Sequence, residues 1–417
     1  MPHQRRVVVT GLGAITPLGL DAESTWDGML AGRSGVGQIT LFDASEYRTT
    51  IAAEVDGYDP LDHFDRREIR RLDRYTQFFL VAVREALTSA GLEYTEDDPE
   101  ATRAGVFVGA GFGGMGSFID EVRLLDARGP GRVSPTAIPQ IIPNMAAGLA
   151  SMEHHLLGPV SCVVTACSAS ANAIGDATEL IRRGSVEVMV AGGAEAAINE
   201  FGVASFAQAR ALSTRNDDPE AASRPFDIDR DGFVMGEGGA ALILEEREHA
   251  IARSASILAE VTGYGMSADA YHITLPRPGG TGAARAMTMA IDDAGILPSD
   301  LSYLNAHGTS TPANDSTETL AIKIALGESA MDVPVSSIKS MTGHTLGAAG
   351  AVEALACILA IRDGRIAPTV NLDNLDPECE LDHVANEFRE AEVTHTISNS
   401  FGFGGHNVAL VFSRDES

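Results

Sequence analysis

Residues 165–170 read "TACSAS" and place Cys167 among small side chains, directly after the apolar stretch "PVSCVV". A cysteine in the first turn of a helix meets unpaired N–H groups and the positive end of the helix dipole, both of which favour a thiolate. The same N–H groups can receive the oxyanion formed when a thiolate attacks a thioester. Alanine would pack equally well there but has no nucleophilic atom. Cys162, earlier in the same stretch, reads as a buried inert thiol, the commoner fate of free cysteine. "NAHGTST" (305–311) sets His307 after a short apolar run, and "KSMTGHTLGAAGAVEA" (339–354) carries Lys339 and His344. No HExxH or comparable spacing accompanies these groups, so no metal is expected.

The elements around these residues follow from periodicity. "GPVSCVVTA" (158–166) reads as a buried strand. A helix is expected from Cys167, with Ala173, Ile174, Ala177, Leu180 and Ile181 on one face and a stop at Arg182, Arg183 and Gly184. Val- and Ile-rich runs ending in Gly-rich turns recur: "RVVVTGLG", "GVFVGAGFGG", "VEVMVAGGAEA", "GGAALILEE", "YLNAHGTST" and "NVALVF". Amphipathic Ala-rich stretches at 75–90 and 283–294 alternate with them, which implies an α/β protein with strands covered on both faces. "GEGGAALIL" (236–244) echoes "GFGGHNVALVF" (402–412), as two similar halves meeting near residue 250 would produce.

Composition narrows the partners. The chain has 417 residues, 44% of them hydrophobic and 21% charged, as in a soluble globular protein with a sizeable core. A net charge of −28 repels nucleic acid, and an acidic protein partner would need a local basic patch. "DRREIRRLDRY" (65–75) supplies one: on a helix, Arg67, Arg70, Arg71 and Arg74 share a side. Four cysteines without CxxC pairs or secreted-type spacing suit a reducing cytoplasm. The start "MPHQRRVVVTGLGAITPLGL" imitates a signal peptide, but its glycines and prolines make it a first buried strand with its turn. No run approaches the ~20 apolar residues of a membrane span.

"TACSAS", "NAHGTSTPANDSTE", "KSMTGHTLGAAGAVE", "STRNDDPEAASRPFDIDRDGFVMGEGGA" and "SNSFGFGGHN" together closely resemble the motifs of β-ketoacyl-acyl-carrier-protein synthases, nearest to the type II elongating condensing enzymes. The likeness runs in order from Arg5 to Phe412. It implies a thiolase-like duplicated α/β fold, with two halves of mixed sheets layered with helices (αβαβα). Residues 1–250 would carry the cysteine, and residues 251–417 the histidines and lysine. It further implies a cytoplasmic homodimer, acyl- and malonyl-loaded acyl-carrier protein as partner, and no cofactor.

The resemblance also assigns roles. Cys167 holds the growing chain as a thioester. His307 and His344 donate N–H bonds to the malonyl thioester carbonyl as CO2 leaves, so no strong base is needed. Lys339 supports them, held by a carboxylate such as Glu353; the resemblance leaves that partner open. The backbone N–H of Phe403 joins that of Cys167 as an oxyanion hole, and its ring gates the thiol. Thr309, Thr311 and Phe401 contribute to the substrate site. Arg132 and Arg210 join Arg67, Arg70 and Arg71 in meeting the carrier.

Three positions depart from the family pattern. His406 stands where Thr is usual, and Ser170 where many relatives carry Gly. Phe112 replaces a smaller aliphatic at the acyl pocket, which suggests short or unusual acyl primers. Three other readings compete: a polyketide ketosynthase with the same catalytic residues, a non-catalytic chain-length partner, and a dinucleotide-dependent oxidoreductase whose fingerprint "VVVTGLGAIT" and "GAGFGGMG" mimic. The intact Cys167, His307 and His344 oppose the second. Pro17 and the lack of a matched acidic residue after the next strand oppose the third.

Overall fold

The computed structural model describes residues 5–416. Ten strands form its main sheet: β1 (Val7–Ile15), β2 (Ala104–Gly109), β3 (Val160–Val163), β4 (Val188–Glu195), β5 (Gly238–Glu246), β6 (Ala259–Ala268), β7 (Tyr303–Asn305), β8 (Val335–Ser336), β9 (His395–Gly402) and β10 (His406–Ser413). Their order is β8-β7-β9-β10-β6-β1-β5-β4-β2-β3. Outward from the centre, the first half runs β1, β5, β4, β2, β3 and the second runs β6, β10, β9, β7, β8. Both walks visit the first, fifth, fourth, second and third strand in turn. Strand directions agree as well, with two antiparallel pairings followed by two parallel ones on each side. The echo between 236–244 and 402–412 therefore marks equivalent places, because β5 and β10 are the fifth strands of their halves. The halves join edge to edge through Val8 opposite Glu260 and Val9 opposite Ala259.

Side-chain alternation along the strands builds the layers. Leu242 and Leu244 of β5, with Val408 and Leu410 of β10, face a central layer made by helices α2 (Ala169–Arg182) and α5 (Ala349–Asp363). Ile243 points the other way, onto α1 (Arg74–Ala90). Ala409 and Val411 likewise point onto α3 (Thr281–Ala294) and α4 (Pro312–Leu326). Five layers result, helix–sheet–helix–sheet–helix.

The glycines that imitate a dinucleotide fingerprint have a packing role. A Cβ on Gly11 or Gly13 would lie 2.2 or 2.0 Å from the carbonyl oxygens of Ala86 and Ala82 on α1. Gly263 and Gly265 of β6 repeat this against Ala290 and Ala286 of α3, at 2.1 Å each. Helix and strand backbones touch at these sites, so the glycines leave no phosphate-binding turn.

Two expectations change. The stretch 158–166 is not a buried strand: only Val160–Val163 is extended, at the sheet edge, and Val160 and Val164 are exposed. The first strand is fully buried as expected, although the first four residues of that run lie outside the described residues. The basic run is not one helix. Asp65 caps a short turn at Arg66–Ile69 and Asp73 caps α1 afresh, so the axis breaks between them. Arg74 then turns inward, onto Glu237 and the rings of Phe78 and Tyr58.

Candidate active site

Cys167 lies in a single 3₁₀ turn, Ala166–Ser168, between β3 and α2, and the helix itself begins at Ala169. Ala166 reaches φ +52°, a left-handed conformation that a non-glycine residue adopts at a cost. Gly402 at the end of β9 packs on this turn, since a Cβ there would meet the Thr165 carbonyl oxygen at 2.5 Å. Strand β9 thus delivers Phe403 beside the sulfur, and the N–H groups of Phe403 and of Cys167 itself favour its charged form.

The expectation of an anionic sulfur at rest is not met. Burial pushes the Cys167 thiol up to about 11, against opposing pulls from Lys339 and the two N–H groups. Desolvation penalises the charged form more than these dipoles favour it. The resting nucleophile is a thiol, and its surroundings serve the charge that develops during reaction.

The second half supplies the imidazoles. His307 follows β7, and its backbone N–H and that of Gly308 donate to Glu318 at 2.8 and 2.7 Å. Glu318 sits on α4, fully buried, and also accepts from Asn399 Nδ2 at 3.1 Å. His344 is fixed by backbone bonds to Val234 and Gly236. The two rings stand edge to face with centroids 5.4 Å apart. Lys339 Nζ lies 3.4 Å from His307 Nδ1 and pairs with Glu353 inside the central layer. The Leu346 N–H donates to His344 Nδ1 at 3.3 Å. Each Nδ1 thus faces a donor, which leaves Nε2 as the protonated nitrogen of each neutral ring. Burial, reinforced by the Lys339 charge, holds both pKa values well below the usual 6.5.

Cys167, His307, His344, Phe112, Thr309, Thr311, Phe401 and Phe403 all line one cavity of about 680 Å³, with Arg210 and His406 also on its wall. Phe401 stacks obliquely beside His307 at 5.6 Å, and the hydroxyls of Thr309 and Thr311 lie 2.9 Å apart. Lys339 stands behind this wall and acts on it through His307. Sequence reasoning missed Phe206, whose ring meets Phe112, Phe233 and Phe403 at 5.4–6.3 Å. It also missed Glu195, which accepts the N–H groups of Gly111, Phe112 and Gly347. No local spacing marks Phe206 or Glu195, whereas Glu318 lies within the motif "NAHGTSTPANDSTE" and was legible in principle. Ser170 accepts the Ala351 N–H at 2.9 Å, so this departure caps the first turn of α5. The His406 ring packs over Gly404, and its side chain makes no hydrogen bond among the described residues.

Arg67, Arg70, Arg71, Arg132 and Arg210 are all exposed, and none makes a side-chain hydrogen bond or ion pair among the described residues. No group of histidine, cysteine and carboxylate side chains suited to a metal occurs among them either. Among the described residues, no helix is long and apolar enough to cross a membrane.

A duplicated five-layer fold with a cysteine and two imidazoles meeting across its halves defines a thiolase-like ketosynthase. Residues 4–250 match the family model "Beta-ketoacyl synthase, N-terminal domain" and residues 258–373 match "Beta-ketoacyl synthase, C-terminal domain". The chain therefore belongs to the β-ketoacyl synthase family, and it is a condensing acyltransferase. It is 52% identical to 3-oxoacyl-(acyl-carrier-protein) synthase 2 of Synechocystis sp., over 99% of both chains. It is 49% identical to the enzyme of that name from Staphylococcus aureus, over the whole of both. Among solved structures, a β-ketoacyl synthase from Burkholderia phymatum superposes with a TM-score of 0.91 at 37% identity, covering 99% of this chain and 100% of that one. AntDE:AntF, a type II polyketide ketosynthase bound to its acyl-carrier protein, gives 0.91 at 35% identity with the same coverage.

Proposed function

We propose that this chain elongates fatty acyl groups by decarboxylative Claisen condensation, with acyl- and malonyl-loaded acyl-carrier protein as substrates. The observation that carries this reading is one cavity shared by Cys167, His307 and His344, with both imidazoles presenting Nε2–H. Cys167 attacks the acyl thioester, and the departing pantetheine thiolate takes up the proton that the thiol loses. The N–H groups of Cys167 and Phe403 receive the oxyanion. Malonyl-carrier then binds with its thioester carbonyl on the two Nε2–H donors. Loss of CO2 leaves an enolate that attacks the acyl-Cys167 carbonyl and frees the sulfur, which regains a proton. Lys339, with Glu353, keeps His307 neutral and correctly turned. Identities near one half with elongating synthases, against 35% with the polyketide enzyme, favour fatty acid over polyketide substrates.

Residues 1–250 and 251–417 are read as the two halves, each supplying part of the site. The unpaired arginines at 67, 70, 71, 132 and 210 form the carrier's docking surface, as charge complementarity with an acidic carrier requires. A homodimer is supported by the sheet edge: among the described residues β3 is unpaired on one side, and Leu157, Val160 and Val164 in and beside it are exposed. Phe112 narrows the acyl branch of the cavity and selects short or unusual primers. A cytoplasmic location accords with four free cysteines.

Incubation with acyl-carrier protein, followed by peptide mass analysis, tests the core of this reading. The acyl mass is expected on the Cys167 peptide and lost in Cys167→Ala. Acylation elsewhere, or none with any acyl-carrier, would overturn it.

A further inference from the structure

A relay of hydrogen bonds runs from the turn that carries Cys167 to the opposite half of the molecule. Thr165 Oγ1 donates to Asn172 Oδ1 at 2.7 Å, Asn172 Nδ2 donates to Tyr264 Oη at 2.8 Å, and Tyr264 Oη donates to Asp176 Oδ1 at 3.0 Å. The Tyr264 hydroxyl also lies 3.4 Å from Met266 Sδ; with its proton directed to Asp176, its oxygen accepts from Asn172 Nδ2, which sets the amide orientation. Asn172 is buried on the first turns of α2, and Tyr264 comes from β6 in the other half. The tyrosine ring occupies a slot that Gly175 leaves open, for a Cβ there would lie 2.3 Å from the ring. Thr165 is the residue before strained Ala166, and its carbonyl receives both the Ser168 N–H and the Ser168 hydroxyl.

We infer that Tyr264 and Asn172 are positioning residues that hold the nucleophile turn across the two halves and so keep the Cys167 sulfur and N–H aligned for acyl transfer. The inference rests on the reading of Cys167 as the acyl acceptor. Within itself the strained turn is held only by the two bonds from Ser168 to the Thr165 carbonyl, and a left-handed alanine persists only where neighbouring structure over-determines it. The relay supplies that restraint from outside the turn. The imidazoles sit on different segments, the loop after β7 and the loop before α5, and the relay does not touch them.

The two half-reactions separate this role from a merely structural one. Tyr264→Phe keeps the ring in its slot and removes one oxygen, and Thr165→Val removes the first donor with little change of shape. Each variant should slow acylation of Cys167 about tenfold, the scale of one lost hydrogen bond. Malonyl-carrier decarboxylation, read as CO2 release, should stay within about twofold of the parent enzyme. The double variant should be no slower than the worse single one, because both cut the same relay. Unchanged acylation in both singles would overturn the inference. So would equal losses in both half-reactions, or additive losses in the double variant. Thr165→Val alone keeps the test decisive if Tyr264→Phe fails to fold. Absence of the acyl group from Cys167 in the unsubstituted enzyme would instead overturn the assignment beneath it.

Discussion

His307 and His344 carry their protons on Nε2 and are kept neutral by burial and by Lys339, so their contribution to stability has a definite sign. Below the unfolded value of 6.5 the unfolded chain binds protons that the folded chain does not. Stability is therefore present above that pH and is lost as pH falls through it. Thermal midpoints measured from about pH 8 down to about pH 5 should fall, and His344→Gln should flatten the slope. A slope unchanged by the substitution would contradict this. At the same scale, Phe112→Ala should raise acyl transfer from long acyl-carriers relative to short ones; an unaltered chain-length profile would remove the ring from any role in specificity. Which residues could be read in advance follows from how they act. Cys167, His307 and His344 use their own side-chain atoms and sit in Gly-rich turns, where their types are conspicuous. Glu195 and Phe206 act by gathering backbone N–H groups or rings from distant segments, which no local spacing records.

Among the elements, the helices at 74–90 and 281–294 and most strands follow their sequence patterns closely. The misread ones lie where a boundary condition matters. Residues 158–166 look buried because Val and Cys are apolar, yet they form a short strand at the sheet edge. The arginine run looks like one helix because spacing alone ignores Asp73, whose cap starts a new axis. The glycine pairs in β1 and β6 give this scale its sharpest test. Gly13→Ala would push a methyl to 2.0 Å from the Ala82 carbonyl oxygen and should cost about 1–3 kcal/mol. Gly37→Ala, with nothing within 4 Å of its added Cβ, is the matched control and should stay within about 0.5 kcal/mol. Equal effects on the thermal midpoint would show that contact between α1 and β1 is not what Gly13 protects.

For the whole molecule, the net charge of −28 leaves few places where an acidic carrier can approach. Reversing Arg67 and Arg71 to Glu should raise the KM for carrier protein about tenfold at low salt, with the effect shrinking as salt rises. An unchanged KM would move docking elsewhere. Association is tested at β3: Val160→Lys should convert a two-chain particle into one chain by solution mass measurement, and a parent protein that is already monomeric would dismiss the dimer. Neither surface was fully legible, because exposure depends on which strand ends a sheet and which arginine turns inward.

The fold contains the Cys167 turn twice. Leu346–Ala348 is also a 3₁₀ turn, opens with φ +51° at Leu346, and leads into α5 as Ala166–Ser168 leads into α2. The counterpart of the sulfur-bearing position is Gly347, where any Cβ would strike the Gly111 nitrogen at 2.3 Å. Repetition has thus given the enzyme two identical cradles, and crowding permits only one of them to hold a reactive atom. The other has become a bracket for His344, so the asymmetry of the chemistry is imposed by steric exclusion on a symmetric scaffold.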